Sequence, residues 1–436
     1  MALSPYAKWN NDRAYLYKLN GENYGYESTV LNPTCLKVVG SMRAENVELN
    51  LTLRNDSWQF ISFPFDVKMS DIVPEDPATM WVVREYSGAN RANGTGDTWL
   101  DVASDGVLKA GQGYIMRCYV QGYNSNNFYD SFGPRFTVSP VKESVNRQAI
   151  FTSTDRAIAL EEYTSEFAHN CSWNLIGNPY PSFYDTRRLD FDGTITVWNS
   201  EYQSYWALNP QDDDYILNPA EAFFVQCPVG AESITFNEAG RQLDRNVRDI
   251  VDVPLQSRAI DTERKLYNIT LGNGEFTDRT RVVINEAAKF DYELNRDASK
   301  FMSISENVPQ LFTVNGNVKY AINERPVGNG EVALGFKVGA AGKYTIALAA
   351  DTEDEVCLTD HLTGKTVKLS AEGYVFESEA GEYNTRFTLG FGPALTGIDR
   401  VGADAAGADK GYTLDGKAVN NSYKGIVVSK NRKSLK

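Results

Sequence analysis

Ser57-Trp58-Gln59-Phe60-Ile61-Ser62-Phe63-Pro64-Phe65 returns later in the chain as Ser172-Trp173-Asn174-Leu175-Ile176-Gly177-Asn178-Pro179-Tyr180. A second anchor follows in each copy. Val107-Leu108 through Tyr114-Ile115-Met116-Arg117-Cys118 returns as Ile216-Leu217 through Phe223-Phe224-Val225-Gln226-Cys227. Order, tryptophan placement and apolar pattern are kept, and six residues fewer separate the anchors in the second copy. A duplication of this length builds a scaffold, because two similar units can bury equivalent apolar faces against each other.

The rest of the chain carries the same signature. Short aromatic and β-branched runs lie between turn dipeptides such as Asn20-Gly21, Asn273-Gly274 and Asn329-Gly330, which is how strands and hairpins read. Helical periodicity is scarce, so the fold class is mainly β: duplicated β-units forming a β-rich N-terminal region, then a β-sandwich, then a short C-terminal β tail. Length allows this, since 436 residues hold two or three sizeable cores.

The boundaries follow from composition. Residues 1–56 hold strands expected to pack on the repeat region, among them Leu36 to Val39 and the alternating run Val47 to Leu53. Copy one spans 57–145 and copy two 146–244. Each has a second tryptophan-bearing strand, Met80 to Val83 or Ile195 to Trp198, followed after a polar tip by Trp99 or Trp206. Residues 245–264 are charged and read as a linker. The β-sandwich covers 265–392, 393–411 is an Ala-, Gly- and Asp-rich flexible linker, and 412–436 has strand-turn-strand form.

A net charge of −14 excludes a broad basic surface for nucleic acid and discourages contact with anionic membrane. No run of about 20 apolar residues marks a transmembrane segment. No signal-peptide pattern opens the chain, which reads either as a cytosolic protein or as a processed or truncated piece of a longer exported one; Tyr15 to Leu19 already reads as mid-domain strand and favours the second. The sequence sets no oligomeric state. Its five cysteines, Cys35, Cys118, Cys171, Cys227 and Cys357, form no CxxC pair. That argues against a zinc site and a disulfide framework; a bridge between the repeat-equivalent Cys118 and Cys227 stays open.

Three segments together resemble the C-terminal region of large exported surface proteins of the Bacteroidetes phylum. They are the duplicated region, above all Ser172 to Pro181; the sandwich, with Asp297 to Phe301, Tyr320 to Asn323 and Leu358 to Gly364; and the tail. Tyr412 to Val419 with Lys424 to Val428 is similar to a type IX secretion sorting tail. The resemblance implies an extracellular or cell-surface address and a non-catalytic module.

Candidate chemistry is sparse. His169 lies two residues before Cys171, a separation along a loop that reads as a turn histidine rather than a nucleophile pair; His361 lies in a turn. Asp190 and Asp192 lack the further oxygen ligands of a calcium loop, and Asp212-Asp213-Asp214 reads as a solvated acidic tip. With no nucleophile elbow and no phosphate loop, no catalytic residue, metal or cofactor is expected. The best binding candidates are Trp198, Tyr202, Tyr205 and Trp206, whose rings could stack on sugar or anchor a partner. In an unbroken strand Trp198, Tyr202 and Trp206 would share a face opposite Tyr205; a turn near Asn199 to Glu201 would change that. The expected function is non-enzymatic structural display or adhesion. The alternatives are a carbohydrate-binding module of a polysaccharide-degrading surface system, and the accessory C-terminal half of a hydrolase. Partners would be a glycan or a cell-surface protein.

Overall fold

The computed structural model describes residues 47–123, 133–141, 149–199, 202–243, 264–303 and 305–391, with short stretches at 2–3, 29–31, 36–38, 40–44, 411–412, 418–419, 426–429 and 432–435. Strands dominate, as expected; the α-helix among the described residues is Gly88–Asn93. The chain divides into two units, Met1–Gly390 and Phe391–Lys436. Described residues of the second form a four-stranded antiparallel sheet, ordered 418–419, 411–412, 426–429, 432–435. The linkers read at 245–264 and 393–411 lie almost wholly outside the described residues.

The duplication is a duplication of topology. Copy one forms a sheet ordered Gln59–Ser62, Gly113–Tyr119, Met80–Tyr86, Trp99–Asp101. Copy two repeats it with Trp173–Gly177, Ala222–Gln226, Ile195–Asn199, Ser204–Leu208. The register repeats too: Ile61 faces Tyr114 as Ile176 faces Phe223. A second sheet closes each sandwich. In copy one it is Thr29–Leu31, Val47–Thr52, Arg135–Val138, Ile72–Pro74; in copy two, Arg156–Ala159, Ser233–Phe236, Leu189–Asp190. Thus Val47–Thr52, assigned from sequence to a separate N-terminal segment, pairs inside copy one. Its alternation explains the fit: Val47, Leu49 and Leu51 are buried while Glu48 and Thr52 face water.

The register also revises which aromatics correspond. Tyr86 sits opposite Trp99, and Trp198 opposite Tyr205. The counterpart of Trp198 is therefore Tyr86, not Trp81, and that of Trp99 is Tyr205, not Trp206. The six residues missing from copy two fall between these strands, where copy one carries the six-residue helix Gly88–Asn93. Ser87 caps that helix by accepting from the Asn90 N–H, and Gly94 ends it at φ 64°.

Each copy has its own core. Cys118 packs with Ile61, Val83, Met116 and Phe136; Cys227 packs with Ile176, Val197, Phe223 and Phe236. The two thiols face different cores and are free. Burial pushes both up to about 11.

Residues 265–391 form one eleven-stranded sheet. It curls until its end strand Tyr374–Ser378 lies over strands from the far half of the path: the Phe376 ring meets Phe336 at 5.3 Å and Phe387 at 4.8 Å. The result is the two-layered, sandwich-like body expected. Lys365 and Lys368 mark the free edge at the other end, charges that discourage edge-to-edge pairing.

Candidate functional site

The hairpin that carries Trp198, Tyr202, Tyr205 and Trp206 pairs Asn199 with Ser204, and Gln203 stands at φ 50° just before the second strand. This pairing resets the face parity. Trp198 and Tyr205 become cross-strand partners, T-shaped at 4.8 Å. Trp206 faces the opposite side, with Tyr202 stacked on it at 5.5 Å and the Arg279 guanidinium 4.7 Å from its ring. The four rings therefore do not form one platform. They split into two pairs on opposite faces.

The Trp198–Tyr205 pair belongs to an aromatic hub where the copies meet. Tyr86 and Trp99 of copy one form the equivalent T-shaped pair at 5.1 Å. Both pairs close around Phe224, Trp173 and Phe60. A third element enters from the large sheet. Phe301 stacks on Phe224 at 4.5 Å and meets Trp173 at 4.8 Å and Tyr205 at 5.4 Å. Arg91, from the helix found only in copy one, lies 4.9 Å from the Trp173 ring and 4.3 Å from Phe301, and donates to Ser299 Oγ at 3.1 Å. All three β-units thus share one desolvated cluster, the kind of packing that dominates interface energetics.

Charge completes the joint. Asp212 takes a bidentate ion pair from Arg264 at 2.8 and 2.9 Å, and Asp213 takes one from Arg281 at 2.7 and 2.6 Å. The side chains of Arg281 and Asp213 are 6% and 14% exposed, so the acidic tip is a docking latch, not a solvated loop. Arg264 also reaches Glu324 at 2.8 Å, whose other oxygen accepts from Arg296 and Asn285. Nearby, Lys300 and Asp278 form a buried pair at 2.5 Å; burial holds the Lys300 ammonium below its ordinary range despite the partner.

The large sheet packs an apolar face on copy two, and touches copy one through Arg91, for a visible reason. Ala207, opposite Thr196, packs on Val283, Ala298, Ala321 and Ile322. The matching cross-strand pair in copy one is Arg84 and Asp101, ion-paired at 2.6 Å, with Arg84 laid over Trp58 at 5.0 Å. Charge stands there in place of the small apolar residue.

The remaining candidates stand apart. The His169 ring lies against Phe167 and Tyr292, and burial keeps its imidazole below the ordinary range; Cys171 donates to the Ala168 carbonyl, and burial raises its thiol. His361 shares a hydrogen bond with Thr388 at 2.8 Å. Asp190 sits in a strand opposite Thr235. Among the described residues no group of three or more His, Cys, Asp or Glu is placed to hold a metal ion, and no helix is long and apolar enough to cross a membrane. Sequence reading missed Phe301, Phe224, Phe60 and Arg91 as hub residues, since isolated apolar and basic residues carry no local mark of a long-range joint.

The fold defines the class: a mainly β protein with an internally duplicated sandwich locked to a curled eleven-stranded sheet. Residues 183–391 match a protein family described as a domain of unknown function (DUF8693). The match starts inside copy two and ends on the last strand of the large sheet, so it takes in the ionic latch and Trp198, Tyr205, Phe224 and Phe301, while Trp173 and the copy-one residues of the hub lie before it. No curated protein and no solved structure matches the chain.

Proposed function

We propose that this chain is a non-enzymatic structural part of an exported surface protein, a stiff spacer that holds its neighbours away from the cell. The observation that carries this reading is the hub. The most conspicuous aromatic and acidic groups of the chain are committed to joining β-units: Trp198 and Tyr205 to Phe301 and copy one, Asp212 and Asp213 to Arg264 and Arg281. Three units joined this way resist bending at their junctions, a property suited to display. Two measurements test the reading. Calorimetry of the purified chain is expected to give one cooperative transition for the repeat region and large sheet; separate transitions would mean hinged beads. Protease shaving of intact cells of the source organism is expected to remove the protein while a cytosolic marker survives. Full protection would defeat the surface assignment.

A further inference from the structure

The parts of the two copies that are not repeated come together at one place. Copy one alone has the helix Gly88–Asn93. Copy two alone has the long segment between Leu160 and Ser172, where copy one passes from Leu53 to Ser57 in a few residues. The two meet directly: a Cβ on Gly88 would overlap the Tyr163 ring and the Trp173 carbonyl. Beside this contact lies a groove of about 610 Å³ along the seam between copies, within the size range of small-molecule sites.

The groove wall is held in place. Asn174 Oδ1 accepts from the Glu161 N–H and its Nδ2 donates to the Glu161 carbonyl, both at 2.9 Å, fixing the segment as a strand partner would. The Tyr163 hydroxyl donates to the Glu161 carboxylate, so ring and acid are mutually oriented. Glu85, Gln112 and Tyr114 line the groove nearby. Its lysine, Lys109, is already paired with Asp66 at 2.8 Å, leaving the lining acidic, like the chain as a whole. Anionic ligands are disfavoured there. A half-buried tyrosine face, two carboxylates and an amide suit a neutral ligand with one apolar ring face and many hydroxyls.

We infer that the seam groove is a binding site for a neutral saccharide, with Tyr163 stacking on a pyranose ring and Glu161 and Glu85 accepting from its hydroxyls. The argument is independent of the scaffold reading, which concerns the hub. The repeated strands supply Glu85 and Tyr114 to the groove, and the segment present only in copy two adds Glu161 and Tyr163.

The test is titration calorimetry of the full chain with soluble neutral hexasaccharides of β-1,4-glucose, β-1,4-xylose, β-1,4-mannose, α-1,4-glucose and β-1,4-N-acetylglucosamine. At least one is expected to bind with a sub-millimolar Kd. Tyr163→Ala should weaken that binding about tenfold or more, the size of a lost aromatic contact. Glu161→Gln, at an exposed side chain, should weaken it with the melting temperature unchanged, so the test survives if Tyr163→Ala fails to fold. Tyr202→Ala on the distant hairpin should leave it unaltered. No binding across the panel, or binding that Glu161→Gln leaves intact, overturns the inference.

Discussion

The Ser62 N–H donates to the Ala220 carbonyl at 3.0 Å, and its repeat-equivalent, the Gly177 N–H, donates to the Gly111 carbonyl at 2.8 Å. The two bonds are the same bond made twice, once in each direction across the seam. Gly111 and Ala220 hold equivalent left-handed conformations, φ 75° and 60°, so the copies relate to each other by an approximate twofold axis. This is an isologous interface inside one chain. Backbones approach closely because Gly177 has no side chain where the Ser62 side chain packs against it.

The seam predicts an asymmetric response to small changes. Gly177→Ala would drive a methyl into Ser62 and is expected to destabilise by about 1–3 kcal/mol, the usual cost of overpacking. Ala220→Gly relieves a left-handed alanine at the matching position and should be neutral or stabilising by up to about 1 kcal/mol. Denaturant midpoints of the two variants check the pair; equal losses would mean the seam is not close-packed.

The latch predicts strong coupling. Arg281→Met strands the Asp213 carboxylate at a mostly buried site and is expected to cost about 3–5 kcal/mol. Arg281→Met with Asp213→Leu should recover much of that loss, because the uncompensated charge is gone. A double-mutant cycle by urea denaturation measures it; additive losses would show that the two side chains act independently.

The hairpin separates two kinds of tyrosine. Tyr205 is buried among Trp198, Phe301 and Phe224. Tyr205→Ala is expected to cost about 3–5 kcal/mol, as large aromatic truncations in cores do. Tyr202 stacks on Trp206 from the half-exposed side, and Tyr202→Ala should cost about 1 kcal/mol or less. Melting temperatures of the two single variants suffice; similar shifts would contradict the packing.

What could be read in the sequence was what repeats or alternates. Period-two runs such as Val47 to Leu53 announce strands, and the doubled Trp-to-Pro string announces the copies. Pairing across the hairpin was not legible, because the turn's left-handed Gln203 leaves no compositional mark, and so the faces of Tyr205 and Trp206 could not be assigned. Nor could a solvated Asp212-Asp213 be told from a docked one, since its arginine partners lie 52 and 68 residues further on. Partner identity is a long-range fact, and no local window contains it.

Asp297 predicts a pH dependence with a definite sign. Its burial pushes the carboxyl up to about 8. The N–H groups of Glu293 and Glu324, each donating at 2.8 Å, pull the other way, and the charges of those same residues add to the rise. In the unfolded chain an aspartate titrates near about 3.9. Between those limits the folded state binds a proton that the unfolded state has released. Asp297 therefore contributes stability that is complete below the unfolded value and is lost as pH rises through about 8. Asp360 acts oppositely. Its burial is outweighed by hydrogen bonds from Arg386, Leu362 and Tyr374, which hold its carboxyl below the usual range; its contribution is lost as pH falls. Stability should accordingly decline from mildly acidic to alkaline pH, and Asp297→Asn should flatten that decline. The variant will be less stable at pH 5, because an amide meets two N–H donors with only one oxygen. Its curve should then converge on that of the native protein towards pH 9. Urea midpoints at pH 5, 7 and 9 decide the matter: parallel curves would mean that Asp297 is ionised in the fold throughout.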